Sequence, residues 1–145
     1  VSLRAASLLA FSFLGLAACG EPPETAGPPQ EGCRVVKVID GDTIDLFCPD
    51  VGTERARIIG YDTPETFEPG CRAEARLGSA ATRRLKTLVA EARTVDTSRR
   101  GYDRYGRRLV RLRIDGRDVG AVMVSEGLAV SYTGGRRIDW CSRLS

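Results

Sequence analysis

From Cys33 onward, hydrophobic and polar positions fall into short segments of clear period. Cys33-Arg34-Val35-Val36-Lys37-Val38-Ile39 is rich in β-branched residues, and Ile44-Asp45-Leu46-Phe47 follows it. Both read as strands, and Asp40-Gly41 between them reads as the centre of a two-residue type I′ hairpin turn. Arg55 to Tyr61 reads as a third strand. Leu77, Ala81, Leu85, Leu88 and Ala92 then recur at steps of four and three, which predicts one apolar face of a helix over 72–92. Strands are predicted over 93–97 and 107–114, with Asp115-Gly116 turning the chain again. Asp118 is a candidate cap for a short helix carrying Val119, Val122 and Met123, with Gly127 at its end. Leu128 to Tyr132 is a last extended piece. This order predicts an α+β domain: a small five-stranded OB-like Greek-key barrel with two packed helices.

The first 32 residues follow a different pattern. Residues 1–18 carry one charge, Arg4, and then an apolar run through Leu8, Leu9, Phe11, Phe13, Leu14 and Leu16. The run is short for a membrane span and has the layout of a secretory signal peptide. Leu16-Ala17-Ala18-Cys19 resembles a bacterial lipobox, which implies cleavage before Cys19 and its lipidation; an ordinary signal peptide with an incidental cysteine is the other reading. Residues 20–32 are rich in proline and acid without a large apolar side chain, which reads as a solvated tether. The expected organisation is a signal peptide over 1–18, a lipid-anchor cysteine with linker over 19–32, and a folded domain over 33–145. The expected location is a membrane-anchored lipoprotein, periplasmic or on the cell surface. Gly20 after the cysteine favours the outer membrane if the host is Gram-negative.

Composition narrows the chemistry. The chain has 145 residues, 42% of them apolar and 28% charged, which is globular usage with core enough for one domain. Histidine is absent, which removes Ser-His-Asp and Cys-His catalysis and histidine metal sites. The net charge is +3; the tether holds three acids and no basic residue, so the domain alone is more basic. All basic residues except Lys37 and Lys86 are arginine. Genomic base bias accounts for such a preference, yet arginine is also the side chain that grips phosphate with a planar fork.

Three segments carry candidate chemistry. In Ile39-Asp40-Gly41-Asp42-Thr43, a turn accounts for Asp40 and Gly41 but not for Asp42, an acid where a strand should start. Later ligands and a closing glutamate are missing, so this is not an EF-hand loop. In Arg57-Ile58-Ile59-Gly60-Tyr61-Asp62-Thr63-Pro64-Glu65-Thr66, Pro64 forces Thr63 out of helical geometry. Asp62, the Thr63 carbonyl and Glu65 therefore crowd a strand end, either as a solvated acidic turn or as hard oxygen ligands of the kind calcium accepts. In Arg99-Arg100-Gly101-Tyr102-Asp103-Arg104-Tyr105-Gly106-Arg107-Arg108, tyrosines interleave with arginines, as in a solvated basic loop or a surface that stacks single-stranded nucleic acid.

Taken in order, I-D-G-D-T, R-I-I-G-Y-D-T-P-E-T and D-R-Y-G-R-R-L resemble the staphylococcal nuclease (thermonuclease) family over about residues 39–132. The resemblance implies that Asp42 and Asp62 are calcium carboxylates, with the Thr63 carbonyl as a further ligand. It implies that Arg57 and Arg107 grip the scissile phosphate, that Glu65 is the candidate general base, and that Tyr105 and Tyr132 line the substrate groove. The activity implied is a Ca²⁺-dependent endonuclease cutting the 5′ P–O bond of DNA and RNA to leave 3′-phosphates, acting as a monomer. Two other readings stand beside it: a non-catalytic nucleic-acid-binding module on the same barrel, and a surface protein that merely binds a partner. The loop after Glu65 is shorter than the family's lysine-rich loop, and there is no room after Trp140-Cys141 for its last long helix.

The four remaining cysteines suit an oxidising compartment. If Asp40 and Gly41 are the two turn residues, Ile39 faces Asp42, Val35 faces Leu46 and Cys33 faces Cys48. Opposed Cα atoms lie about 4.5–5.5 Å apart, inside the disulfide window. The expected pairs are therefore Cys33–Cys48 and, by remainder, Cys71–Cys141.

Overall fold

The structure is a computed structural model that describes residues 32–145. The expected signal peptide, Cys19 and nearly all of the tether lie outside the described residues. Strands β1 (Arg34–Val38), β2 (Thr43–Cys48) and β3 (Gly52–Ile58) form an antiparallel meander. Strand β4 (Gly60–Asp62) follows after a break at Ile59 and starts on Gly60, whose φ of +104° lies in the left-handed region. Helix α1 (Arg72–Ala90) leads to the hairpin of β5 (Val95–Tyr102) and β6 (Arg108–Ile114). Strand β7 (Arg117–Asp118), α2 (Val119–Ser125), β8 (Val130–Tyr132) and α3 (Trp140–Arg143) complete the chain.

The main sheet runs β1-β2-β3-β6-β5, with β3 and β6 parallel and β7 paired to β6, while β4 and β8 form a separate two-stranded sheet. This is an α+β fold of OB-like strand order. It has eight strands and three helices among the described residues, where the pattern suggested five and two. Strand β8 falls in the extended piece expected over 128–132, β4 is split off the end of the expected third strand, and the additions are β7 and the one-turn α3. Ile44, Leu46, Ile58, Val110 and Leu112 from the sheet meet Leu85 of α1 and Met123 of α2 in the core. The buried face of α1 is Glu74, Gly78, Ala81, Leu85 and Leu88. It begins on an acid and a glycine rather than on Leu77, which is only half-buried. Asp118 caps α2 as expected, accepting from the Ala121 N–H.

The first hairpin departs from the two-residue turn. Val38 pairs with Ile44, and the Ile39 N–H donates to the Thr43 carbonyl, so Asp40, Gly41 and Asp42 form a three-residue loop. Gly41 is not in the left-handed region. It is glycine because an added Cβ would lie 2.8 Å from the Thr63 side chain and 2.9 Å from that of Ala81. A bulge between Val35 and Lys37 absorbs the extra residue, so Arg34 still faces Phe47 and Val35 still faces Leu46. Cys33 is bonded to Cys48 with a Cα separation of 4.2 Å, and Cys71 to Cys141 with 5.9 Å. The type I′ geometry appears instead at Asp115-Gly116, where both residues have positive φ.

Candidate active site

The end of β3, the β4 strand and the loops around them form one side of a cleft of about 1230 Å³. Asp42, Arg57, Thr63, Glu65, Tyr105, Arg107 and Tyr132 all line it. Asp62 lies directly behind, 1% exposed.

Arg57 ties the two expected cation carboxylates together. Its Nη1 lies 3.0 Å from Asp42 Oδ2, and its Nη2 lies 3.2 Å from Asp62 Oδ1. The same guanidinium donates to the carbonyls of Ile58 at 2.7 Å and Tyr61 at 3.1 Å. With the Asp42 carbonyl at 3.5 Å, five acceptors of its own chain thus surround a fork that the family resemblance assigns to phosphate. Asp42 Oδ2 also accepts the Thr63 backbone N–H at 3.1 Å and its hydroxyl at 2.9 Å. Tyr61, fully buried, anchors the floor by donating from its hydroxyl to the Gly41 carbonyl at 2.9 Å. Burial raises the Asp62 pKa above the usual carboxylate value, aided by the charge of Asp42 and opposed by Arg137 and Arg57.

Arg107 presents the more open fork. Asp103 takes its Nε at 2.7 Å and its backbone N–H at 2.9 Å. Its terminal nitrogens have no acceptor among the described residues. Burial would raise the Asp103 pKa, but the Arg107 N–H and guanidinium outweigh it and hold the carboxyl below its usual value. Arg104 and Arg107 both flank the ring of the exposed Tyr105.

The basic segment is smaller than its sequence suggested, because β5 runs on to Tyr102. Arg99 pairs with Asp50, and Tyr102 and Arg108 converge on Glu54, none of them in the cleft. Arg104, Tyr105 and Arg107 remain for the cleft. Tyr132 lines the cleft from β8, where it pairs with Gly60 of β4, and its hydroxyl donates to the Gly135 carbonyl at 2.6 Å. Glu65 is partly exposed; its backbone N–H donates to Glu74 at 3.1 Å, and its Oε2 lies 3.4 Å from Arg137 Nη1.

Sequence reading missed several members of this site. Asp40 reads in the sequence as a turn residue, yet it lines the cleft, and its pKa is raised to about 6 by burial and by the charge of Asp42. Trp140 is buried on α3 and donates from Nε1 to Asp62 Oδ2 at 3.3 Å. Arg137 reaches Asp62 Oδ1 from Nε at 2.8 Å and the Thr63 carbonyl from Nη2 at 3.0 Å. Asp103 was legible as the acid four residues before Arg107, whereas nothing local ties Trp140 to Asp62, 78 residues away. Arg137 follows Gly-Gly-Arg in a loop without periodicity, and no local signal marks it.

An OB-like sheet with paired carboxylates and arginines on one cleft belongs to a recognisable class, and sequence comparison agrees. The description "Staphylococcal nuclease homologue" matches residues 55–139, and the chain belongs to this family. Asp40 and Asp42 precede the matched stretch. Among curated relatives, the chain is similar to the thermonuclease of Staphylococcus intermedius, at 34% identity over 68% of this chain and 58% of that one. It is also similar to the micrococcal nuclease of Shigella flexneri, at 33% over 68% and 57%, and to endonuclease YhcR of Bacillus subtilis, at 34% over 77% and 10%. The chain thus spans under two thirds of the length of these relatives.

Proposed function

We propose that this protein is an endonuclease that hydrolyses phosphodiester bonds of DNA and RNA with calcium as its cofactor. The observation that carries the reading is the convergence of Asp42, Glu65 and the open fork of Arg107 on a single cleft, with Asp62 joined to Asp42 through Arg57 behind it. A hard divalent cation suits the donor set, since two carboxylates and a backbone carbonyl already collect two guanidinium cations. When bound there, calcium would supply positive charge to the phosphoryl oxygens.

The chain's own residues supply the rest. Arg107, oriented by Asp103, offers paired N–H groups to two phosphoryl oxygens on which charge grows during in-line attack. Removing one such donor typically costs about 2.7–4 kcal/mol, or about 10²–10³ in rate. Glu65 is placed at the cleft to accept a proton from water, so histidine is not needed. Arg57 holds Asp42 and Asp62 in register, with its Nε the remaining donor for phosphate. Tyr105 and Tyr132 provide ring faces for flanking bases. Cleavage at the 5′ P–O bond is the regiochemistry its family resemblance supports. A non-catalytic binding module is less well supported, since such a module has no need of Asp42, Asp62 and Glu65 together.

The apolar run ending at Leu-Ala-Ala-Cys supports export with lipid anchoring at Cys19, and the two cysteine pairs suit an oxidising compartment. Incubation with plasmid tests the activity. Cleavage is expected with calcium, little with magnesium, and none with chelator or in Glu65→Gln; undiminished cleavage in chelator refutes the metal reading. Cys19→Ala should leave the membrane fraction or accumulate as precursor, and an unaltered membrane fraction refutes the anchor.

A further inference from the structure

Resting on the calcium reading above, we propose that Arg137 is a tethered competitor for the cation site, so that calcium binding and the position of the C-terminal segment are coupled. Its guanidinium touches three oxygen groups of the site at once: Asp62 Oδ1 at 2.8 Å, the Thr63 carbonyl at 3.0 Å and Glu65 Oε2 at 3.4 Å. Two of these are oxygens assigned to the cation, and the third belongs to the candidate base. A guanidinium and a divalent cation cannot share the Asp62 Oδ1 and Thr63 lone pairs at these distances, because the two positive charges repel and seek the same acceptor directions.

The attachment of Arg137 permits exchange. Its side chain is 47% exposed, whereas Arg57, on the inner side of the same carboxylates, is 12% exposed and held by two further carbonyls. Arg57 is therefore a fixed counter-charge, and Arg137 is the one that can swing outward. It sits three residues before Trp140, which stays anchored on Asp62 and by the neighbouring Cys71–Cys141 bond. The swing is thus short-range, and the released guanidinium remains at the mouth of the cleft, where a phosphate would enter. Arg136, its neighbour, also lines the cleft but has no contact with the cation oxygens among the described residues.

Competition of this kind lowers apparent affinity by the fraction of time that the site is open. Should Arg137 hold the oxygens about nine-tenths of the time, its removal tightens calcium binding about tenfold. The test is calcium titration of the full chain by calorimetry, followed in parallel through the fluorescence of Trp140, the chain's single tryptophan. Arg137→Gln is expected to bind calcium about tenfold more tightly than the parent, and Arg136→Gln within about threefold of it. Equal tightening in both variants would mean a general field effect and overturn the proposal. Unchanged or weaker binding in Arg137→Gln, with the parent binding normally, overturns it while leaving the calcium reading intact. Absence of calcium binding in the parent and in both variants overturns the calcium reading, and the competitor proposal with it.

Discussion

Replacing Arg57 by alanine should destabilise the protein by about 3 kcal/mol at neutral pH, at the lower edge of the 3–5 kcal/mol typical for breaking a buried ion pair. The structure sets that edge. Asp42 and Asp62 would lose their shared counter-charge, and the Ile58 and Tyr61 carbonyls would lose a donor. Asp62 would retain Arg137 and Trp140, and Asp42 would retain the Thr63 N–H and hydroxyl. The sign of the pH dependence follows from Asp62. Burial already holds its folded pKa above the usual carboxylate value, and loss of Arg57 raises it further, so the folded state takes up a proton more readily. The penalty therefore shrinks as pH falls from about 7 to 5 and grows again as pH rises. Calcium at a hundred times its dissociation constant adds about 2.7 kcal/mol to any form that binds it. Urea unfolding of parent and Arg57→Ala at both pH values, with and without calcium, measures all three effects. A loss below about 1 kcal/mol, or one independent of pH, would refute the view that Arg57 is the buried counter-charge of the site.

Three other outcomes are expected. Arg107→Lys should lower kcat about 10²-fold or more in a plasmid-cleavage assay, since lysine keeps the charge without the fork; Asp103→Asn should show a smaller loss through misorientation of Arg107. Non-reducing peptide mapping should return Cys33–Cys48 and Cys71–Cys141, and reduction of the first should cost roughly 3 kcal/mol on a chain-entropy view of its 15-residue loop. The Asp115 carboxyl is held below its usual value, first by the Thr94 N–H and also by the Arg93 N–H. A depressed folded pKa contributes stability above the unfolded value of 3.8 that is lost as pH falls through the folded one, so Asp115→Asn should narrow the parent's advantage only in acid.

The two Asp-Gly pairs show how far sequence reading reaches. At Asp115-Gly116 the backbone adopts the left-handed turn that this dipeptide favours. At Asp40-Gly41 the same letters serve the site: Asp40 lines the cleft, and Gly41 admits Thr63 and Ala81. Local pattern cannot separate these cases, because the cause of the second is tertiary and lies more than twenty residues away. The cysteine pairing carries a related lesson. The register expected at Cys33 is present although the turn is one residue longer, since the bulge near Val36 restores it. Strands and helices were legible because spacing within a segment fixes them, and Asp42, Arg57, Asp62, Glu65 and Arg107 because the three motifs that hold them resemble those of the family. Arg137 and Trp140 were not, since they arrive on the site from a loop and a one-turn helix whose places depend on the finished fold.

That late arrival bears on how the domain matures. Contacts at the site join Asp62 to Trp140 and Thr63 to Arg137, separations of 78 and 74 residues, while the parallel pairing sets Ala56 beside Arg108. Closing such distant contacts costs chain entropy before any contact rewards it, which places the domain among slow folders of high contact order. The β1–β2 hairpin can form as soon as its residues are available, with Asp42 already at its tip. The cleft itself has to wait for the segment around Arg137 and Trp140 to dock. A chain interrupted before Arg136 would carry all three family motifs and still lack the groups that close the site around Asp62.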